Sequence, residues 1–258
     1  MFMPTSLNII IGLAFFLYGI IIGSFLNVLI YRIPKKENIA IKRSHCMTCD
    51  YQLQWYDLIP LFSWIFLRGK CRKCGQKISV QYPIIEALNG IFWTLVFIKF
   101  GLSIESLLYC LLFSALLALS VIDFRTFEIP IGFNIFILIL GLARVATDYK
   151  NWLNYVIGLV SVSIVLFLIF VISQGRAIGG GDVKLMAATG LLLGWQLNLL
   201  GFVFGCILGS VIHIIRMKVS KQSHTLAMGP YLSAGVIISI FVGEYLISWY
   251  TGLLGFTK

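Results

Sequence analysis

Charge is scarce in this chain. Of 258 residues, 12% are charged and 59% hydrophobic, with a mean hydropathy of +0.96. A soluble domain carries about 25% charged and 45–50% apolar residues. Too few polar side chains exist to clothe a water-soluble fold, so a soluble globular protein, a disordered chain, a collagen and a disulfide-stapled mini-protein are excluded. Internal repeats and low-complexity stretches are also missing. The first apolar run, Leu7 to Tyr31, is too long for a signal-peptide core, so no cleavable leader is read. Among the charged residues acids are the scarcer kind, ten against twenty Lys and Arg. With only ten Asp and Glu, each carboxylate beside an apolar run becomes a candidate for function.

What the chain has in abundance is apolar runs. Eight are read, at roughly 7–31, 83–100, 104–122, 129–146, 153–173, 183–198, 199–215 and 229–250. Backbone polar groups in lipid must be satisfied within the segment, so each is expected to be a helix. The expected fold class is an all-α polytopic membrane protein of about eight spans. The sixth and seventh runs abut, and their join is read near Gln196–Asn198. Gly19 and Gly23, and then Gly201, Gly205 and Gly209, form small-residue ladders that allow close helix approach. Packing within the chain is the reading preferred over dimerisation; the oligomeric state is not legible.

Between the first two runs, residues 32–81 are polar and hold ten of the twenty Lys and Arg. The positive-inside rule places this segment in the cytoplasm. Eight alternating spans then set both termini outside, with sixteen basic residues inside and four outside; Lys42 and Lys221 count inside, Lys258 outside. The net charge of +10 is explained by such loops beside an anionic leaflet, so no nucleic-acid partner is expected. The organisation read is a first helix at 1–31, a cytoplasmic metal-binding loop at 32–81 and a seven-helix region at 82–258.

Cys46, Cys49, Cys71 and Cys74 form two C-x2-C pairs separated by 21 residues. Two such knuckles suit one tetrahedral zinc. A reducing cytoplasm disfavours disulfides, though a redox pair is the competing reading. Four thiolates would fill the coordination sphere, making the ion structural. Cys110 and Cys206 sit inside apolar runs and read as core residues. His45 could stand in as a ligand, while His213 and His224 read as packing or interface residues.

Asp123 closes the third run and Asp182 opens the sixth. Two spans lie between them, so both fall at the same membrane face. Ionisable residues at that depth are functional candidates. A close pair could not readily ionise together, leaving one acid and one base as in an aspartic protease. Gly179, Gly180 and Gly181 before Asp182 permit backbone approach by a substrate strand and dihedrals closed to other residues. The alternative is equally open at this point: a helix-end cap for Asp123, and a helix N-terminal carboxylate for Asp182. Glu244, within the last run, is a rival carboxylate.

These residues together resemble the type IV prepilin peptidases, bifunctional leader peptidase/N-methyltransferases and GxGD membrane aspartyl proteases of bacteria. The resemblance runs through Gly23-Ser24-Phe25-Leu26-Asn27-Val28, Tyr31-Arg32-Ile33-Pro34 and the cysteine spacing. It continues in Trp55–Pro60, Tyr82-Pro83-Ile84-Ile85-Glu86, Gly179–Asp182 and Met228-Gly229-Pro230-Tyr231. Many members carry another aspartate just after the Ile-Pro that follows the first; here Ile131 follows Ile129-Pro130, leaving Asp123 alone in that stretch. The family usually has Phe where Met228 stands. The resemblance implies Asp123 and Asp182 as the catalytic pair, and prepilins or pseudopilins as substrates in the bacterial cytoplasmic membrane. Their short basic leader is removed between a Gly and, usually, a Phe. It also implies S-adenosylmethionine-dependent methylation of the new N-terminus, for which Asn27, Arg32 and Glu86 are the matching positions. No glycine-rich nucleotide loop supports that half. From another class, a zinc-stabilised membrane assembly factor or transporter subunit would also account for the loop and spans, but not for a paired carboxylate.

Overall fold

The computed structural model describes residues 5–39, 41, 43–220 and 226–255; Lys42, Lys221, His224 and Lys258 lie outside them. Among the described residues there is no strand. The helices are α1 (Thr5–Arg32), α2 (Phe62–Phe66), α3 (Gln81–Phe100), α4 (Ile104–Thr126) and α5 (Ile131–Thr147). They continue with α6 (Trp152–Ser161), α7 (Ser163–Ile172), α8 (Gly180–Leu193), α9 (Trp195–Ser220) and α10 (Gly229–Leu253). Among the described residues six helical stretches are long and apolar enough to cross a membrane: α1, α3, α4, α6 with α7, α9 and α10. Helices α5 and α8 have 17 and 14 residues. At 1.5 Å per residue they reach ~26 and ~21 Å, short of the ~30 Å hydrocarbon core. The eight apolar runs therefore all fold as helix, but only six have full spanning length.

The join between the sixth and seventh runs is not at Gln196–Asn198. Helix α8 ends at Gly194, whose φ of +81° and amide bond to the Gly190 carbonyl at 2.9 Å close the last turn. A left-handed residue stops a helix where glycine removes the steric cost. Asn198 is polar because it is a buried tie: its Nδ2 donates to the Met186 carbonyl at 3.1 Å and its Oδ1 accepts from Thr189 at 2.9 Å.

The chain forms two compact units, divided within α4 after Ala118. In the first, α1 lies against α3. A Cβ at Gly19 would fall 2.7 Å from the Gly90 Cα, and one at Gly23 2.7 Å from the Glu86 Cα. The ladder is thus used inside the chain. Buried Asn89 donates to the Gly19 carbonyl at 2.7 Å and accepts from Ser114 of α4 at 2.9 Å, so each polar atom is satisfied within the apolar seam.

In the second unit α9 packs on α10 through Gly201 and Gly205, where added Cβ atoms would come within 3.0 Å of Val236 Cα and 2.9 Å of Leu232 Cα. Helix α8 is central, with most of Leu185–Leu193 buried. Its Gly190 meets Gly158 of α6 backbone to backbone, leaving no room for a side chain on either.

Candidate active site and metal centre

The four cysteine sulfurs lie within 4.8 Å of one another, and Cys46 Sγ stands 3.8 Å from Cys74 Sγ. Four sulfurs around a tetrahedral zinc at ~2.3 Å stand ~3.8 Å apart, so the tetrad fits that ion. All six cysteines are free thiols. The two knuckles are copies of one turn. Cys46 N–H donates to the Tyr51 carbonyl at 2.9 Å, and Cys71 N–H to the Gln76 carbonyl at 2.8 Å. Asp50 and Gly75, each four residues after the first cysteine of its pair, both have positive φ (51° and 71°) and donate back to that cysteine's carbonyl. Backbone amides of Thr48, then Cys49, pull the Cys46 thiol down to about 6, whereas at Cys49 the Tyr51 amide is outweighed by burial and the neighbouring thiols of Cys74, Cys46 and Cys71, which push it up to about 12. His45 is not in the tetrad; its Nδ1 contacts the Arg43 carbonyl at 3.3 Å.

The second knuckle is tied down by a pair that sequence reasoning missed. Arg72 Nε donates to Oδ1 of buried Asp57 at 2.8 Å, and the guanidinium lies 4.9 Å from the Tyr56 ring centre. Asp57 also accepts from the Gln54 amide at 3.3 Å. The signal available was an acid, one of three with Glu37 and Asp50, in a segment that holds ten Lys and Arg.

In the second unit Asp123 is buried in the last turns of α4, with Oδ2 accepting from the Gly229 amide at 2.9 Å. Helix α4 then closes on Phe127, a bulky residue at φ 56° whose amide donates to the Asp123 carbonyl at 2.8 Å. Left-handed backbone costs a residue of this kind about 1–2 kcal/mol, and such positions gather at functional sites. Asp182 is half-buried in the first turn of α8. The negative charge of Asp123 reaches its carboxyl, so the two are electrostatic neighbours.

The three glycines differ from expectation in one respect. None has positive φ: Gly179 is extended at φ −74°, ψ 142°, and Gly180 and Gly181 are helical. Their use is space. A Cβ at Gly179 would fall 3.2 Å from the Asp182 carboxylate, and one at Gly181 3.0 Å from Ile129. Buried Asn134 of α5, not singled out from sequence, donates to the Gly181 carbonyl at 3.5 Å. A lone amide in an apolar run was the clue. Glu244 is exposed, fifteen residues along α10 from Gly229 and so ~22 Å from the Asp123 end. His213 is half-buried on α9, and Cys110 is fully buried in α4.

In the first unit, Asn27 and Glu86 meet the α1–α3 seam and Arg32 ends α1. Asn27 donates to the Tyr82 carbonyl at 3.1 Å, and Glu86 Oε2 accepts from the Leu61 amide at 2.7 Å. Arg32 Nη1 donates to the carbonyls of Asn38 and Ile39 at 3.2 and 2.9 Å.

Fold and site together describe an all-helical, multi-pass membrane protein with a four-cysteine metal site. Residues 17–100 match the Bacterial Peptidase A24 N-terminal domain, and residues 110–214 the Type IV leader peptidase family. The chain belongs to that family. It is 32% identical over 239 residues to the prepilin leader peptidase/N-methyltransferase of Bacillus subtilis (strain 168), covering 91% of this chain and 96% of that protein. The protein of the same name from Myxococcus xanthus (strain DK1622) is 31% identical over 226 residues, 86% of this chain and 68% of its own. The one from Legionella pneumophila is 28% identical over 281 residues, 96% of each. No solved structure matches the chain.

Proposed function

We propose that this chain is an aspartyl endopeptidase that removes the short basic leader of type IV prepilins and pseudopilins. The observation that carries the reading is the paired carboxyl, Asp123 held by the Gly229 amide and Asp182 within reach of its charge. Asp123, in its ionised form, takes a proton from the attacking water while the Gly229 amide holds it in place. Asp182 retains its proton and donates it to the scissile carbonyl oxygen. The tetrahedral adduct then collapses, the C–N bond breaks, and the new amine leaves with a proton delivered by the pair. No covalent intermediate with the protein is formed. Gly179–Gly181 leave the mouth of the pair free of side chains for a substrate strand.

The seven-helix region at 82–258 is the peptidase, and segment 32–81 is associated with the methyltransferase half. Cys46, Cys49, Cys71 and Cys74 would hold a structural zinc, which would keep that segment folded. Helices α5 and α8 are the short members of eight crossings, and the basic residues of segment 32–81 orient the chain with its aspartates at the cytoplasmic face.

Methylation of the cleaved N-terminus belongs to the same reading, with S-adenosylmethionine supplying an electrophilic methyl group when bound. Of the three positions implied for it, Asn27 and Glu86 are committed to the Tyr82 carbonyl and the Leu61 amide, whereas Arg32 has donors to spare. Co-expression with a type IV prepilin, followed by N-terminal sequencing and intact mass, tests both halves. Unprocessed prepilin beside membrane-inserted enzyme would overturn the peptidase reading; a cleaved, unmethylated product would remove only the second half.

A further inference from the structure

Helix α2 turns its apolar side outward. Phe62, Ile65 and Phe66 stand at i, i+3 and i+4 on one face, and are 48%, 61% and 82% exposed. Trp64 faces the other way. Its ring covers Gly69, where a Cβ would fall 2.8 Å from it, and its Nε1 donates to the Ile78 carbonyl at 3.4 Å. Three large apolar side chains, held outward by a packed inner residue, form a contiguous surface of the kind that marks an interaction site.

The level of α2 against the membrane helices is fixed. Leu61, the residue before it, holds φ 61°, and the Leu61 amide donates to Glu86 at 2.7 Å. Glu86 lies five residues past Gln81, about 7.5 Å along the α3 axis. On the outer side of α3, Ile84, Leu88, Ile91 and Leu95 form an exposed apolar stripe, the face that a crossing helix turns to acyl chains. Helix α2 therefore begins beside the head of that stripe.

Charge identifies the partner. Between Asp57 and Glu86 the chain has five Lys and Arg and no acid. Arg72 is spent on Asp57, whereas Arg68, Lys70, Lys73 and Lys77 are exposed and form no ion pair among the described residues. A backbone bridge sets Lys70 opposite Lys77, so cations gather just past the end of α2. An apolar face bordered by free cations is complementary to acyl chains bordered by phosphate. We propose that α2 is an interfacial anchor: Phe62, Ile65 and Phe66 enter the bilayer leaflet beside the start of α3, with Arg68 and Lys70 over its phosphates. The cysteine-bearing segment is then held to the membrane surface at its middle as well as at its two ends. This inference is independent of the peptidase and methyltransferase readings.

The test uses full-length protein in nanodiscs of phosphatidylglycerol and phosphatidylcholine, with metal content as the check on folding. Fluorotryptophan labels the six native tryptophans, and Phe66→Trp adds one further fluorine resonance at the exposed tip. For a ring ~5–10 Å below the headgroups, a lipid spin-labelled high on its acyl chain should broaden that resonance about fivefold more than a soluble gadolinium chelate does. Adding Ile65→Asp should cut the lipid-borne broadening about threefold, since a carboxylate resists the acyl boundary. Ile65→Trp supplies an equivalent reporter should Phe66→Trp alter the metal content. A resonance broadened mainly by gadolinium, or lipid broadening unmoved by Ile65→Asp, overturns the proposal. So does shielding from both agents, or shielding from gadolinium that arises only with added prepilin; either would assign the face to a protein.

Discussion

The amide of Gly229, first residue of α10, donates to the carboxylate of Asp123 at 2.9 Å, and a Cβ built on that glycine would fall 2.6 Å from the same oxygen. One residue therefore both holds the carboxylate and leaves room for it. Gly229→Ala should displace Asp123 and lower prepilin cleavage at least tenfold, with the protein still in the membrane. Wild-type cleavage by this variant would show that the Asp123–Gly229 bond is dispensable.

Asp123→Asn and Asp182→Asn should each reduce cleavage by about 10²–10⁴-fold, the scale of general acid–base catalysis. Glu244→Gln should cleave normally, because that side chain is exposed on α10 about 22 Å from its Gly229 end. Single-turnover rates on a synthetic prepilin would separate these outcomes, and an equal loss at Glu244 would move the assignment.

The pair should give kcat/KM a bell-shaped pH profile whose limbs belong to both carboxyls together. Activity should rise as the first proton leaves the pair and fall as the second does. A flat wild-type cleavage profile from pH 4 to 8 would sink the shared-proton mechanism.

Elemental analysis of purified protein should find one zinc per chain, and Cys71→Ser should lower it. Because binding and folding are coupled in small metal sites, the variant should expose segment 32–81 to limited trypsin digestion. A zinc-free preparation with two disulfides by mass would instead favour redox pairing.

Arg72→Ala should speed zinc loss to a chelator about tenfold, since it strips buried Asp57 of its ion pair and frees the second knuckle. Stopped-flow with a chromogenic chelator reads this directly. Unchanged release would mean that Gln54 and Tyr51 suffice to hold Asp57.

The metal site was legible because four thiolates at C-x2-C spacing satisfy a local geometric demand, and the repeated turn around Asp50 and Gly75 meets it twice. The aspartates were legible for the opposite reason, their rarity in apolar sequence. What escaped was whatever depends on distant packing. Gly229 reaches Asp123 across 106 residues, and no spacing rule announces such a bond. Asn134 looked like one polar residue in a helix. The glycine triplet was assigned to unusual dihedrals, whereas its backbone is ordinary and the crowding of Ile129 and Asp182 explains it. Polar Gln196 and Asn198 drew the helix boundary past Gly194, because a buried amide and a solvated one read alike in a string of letters.

In the proposed eight-crossing arrangement helix α8, at 14 residues, would be the shortest crossing. The ~9 Å it lacks against a ~30 Å hydrocarbon core would then be met by local thinning or by water drawn down to its first turn. Hydrolysis consumes water, so the mismatch would deliver the second substrate to Asp182, the proposed acid. Bilayer thickness then becomes a control on rate: short-chain lipids should leave the reaction supplied, and long-chain or sterol-stiffened membranes should starve it without altering a single contact in the protein.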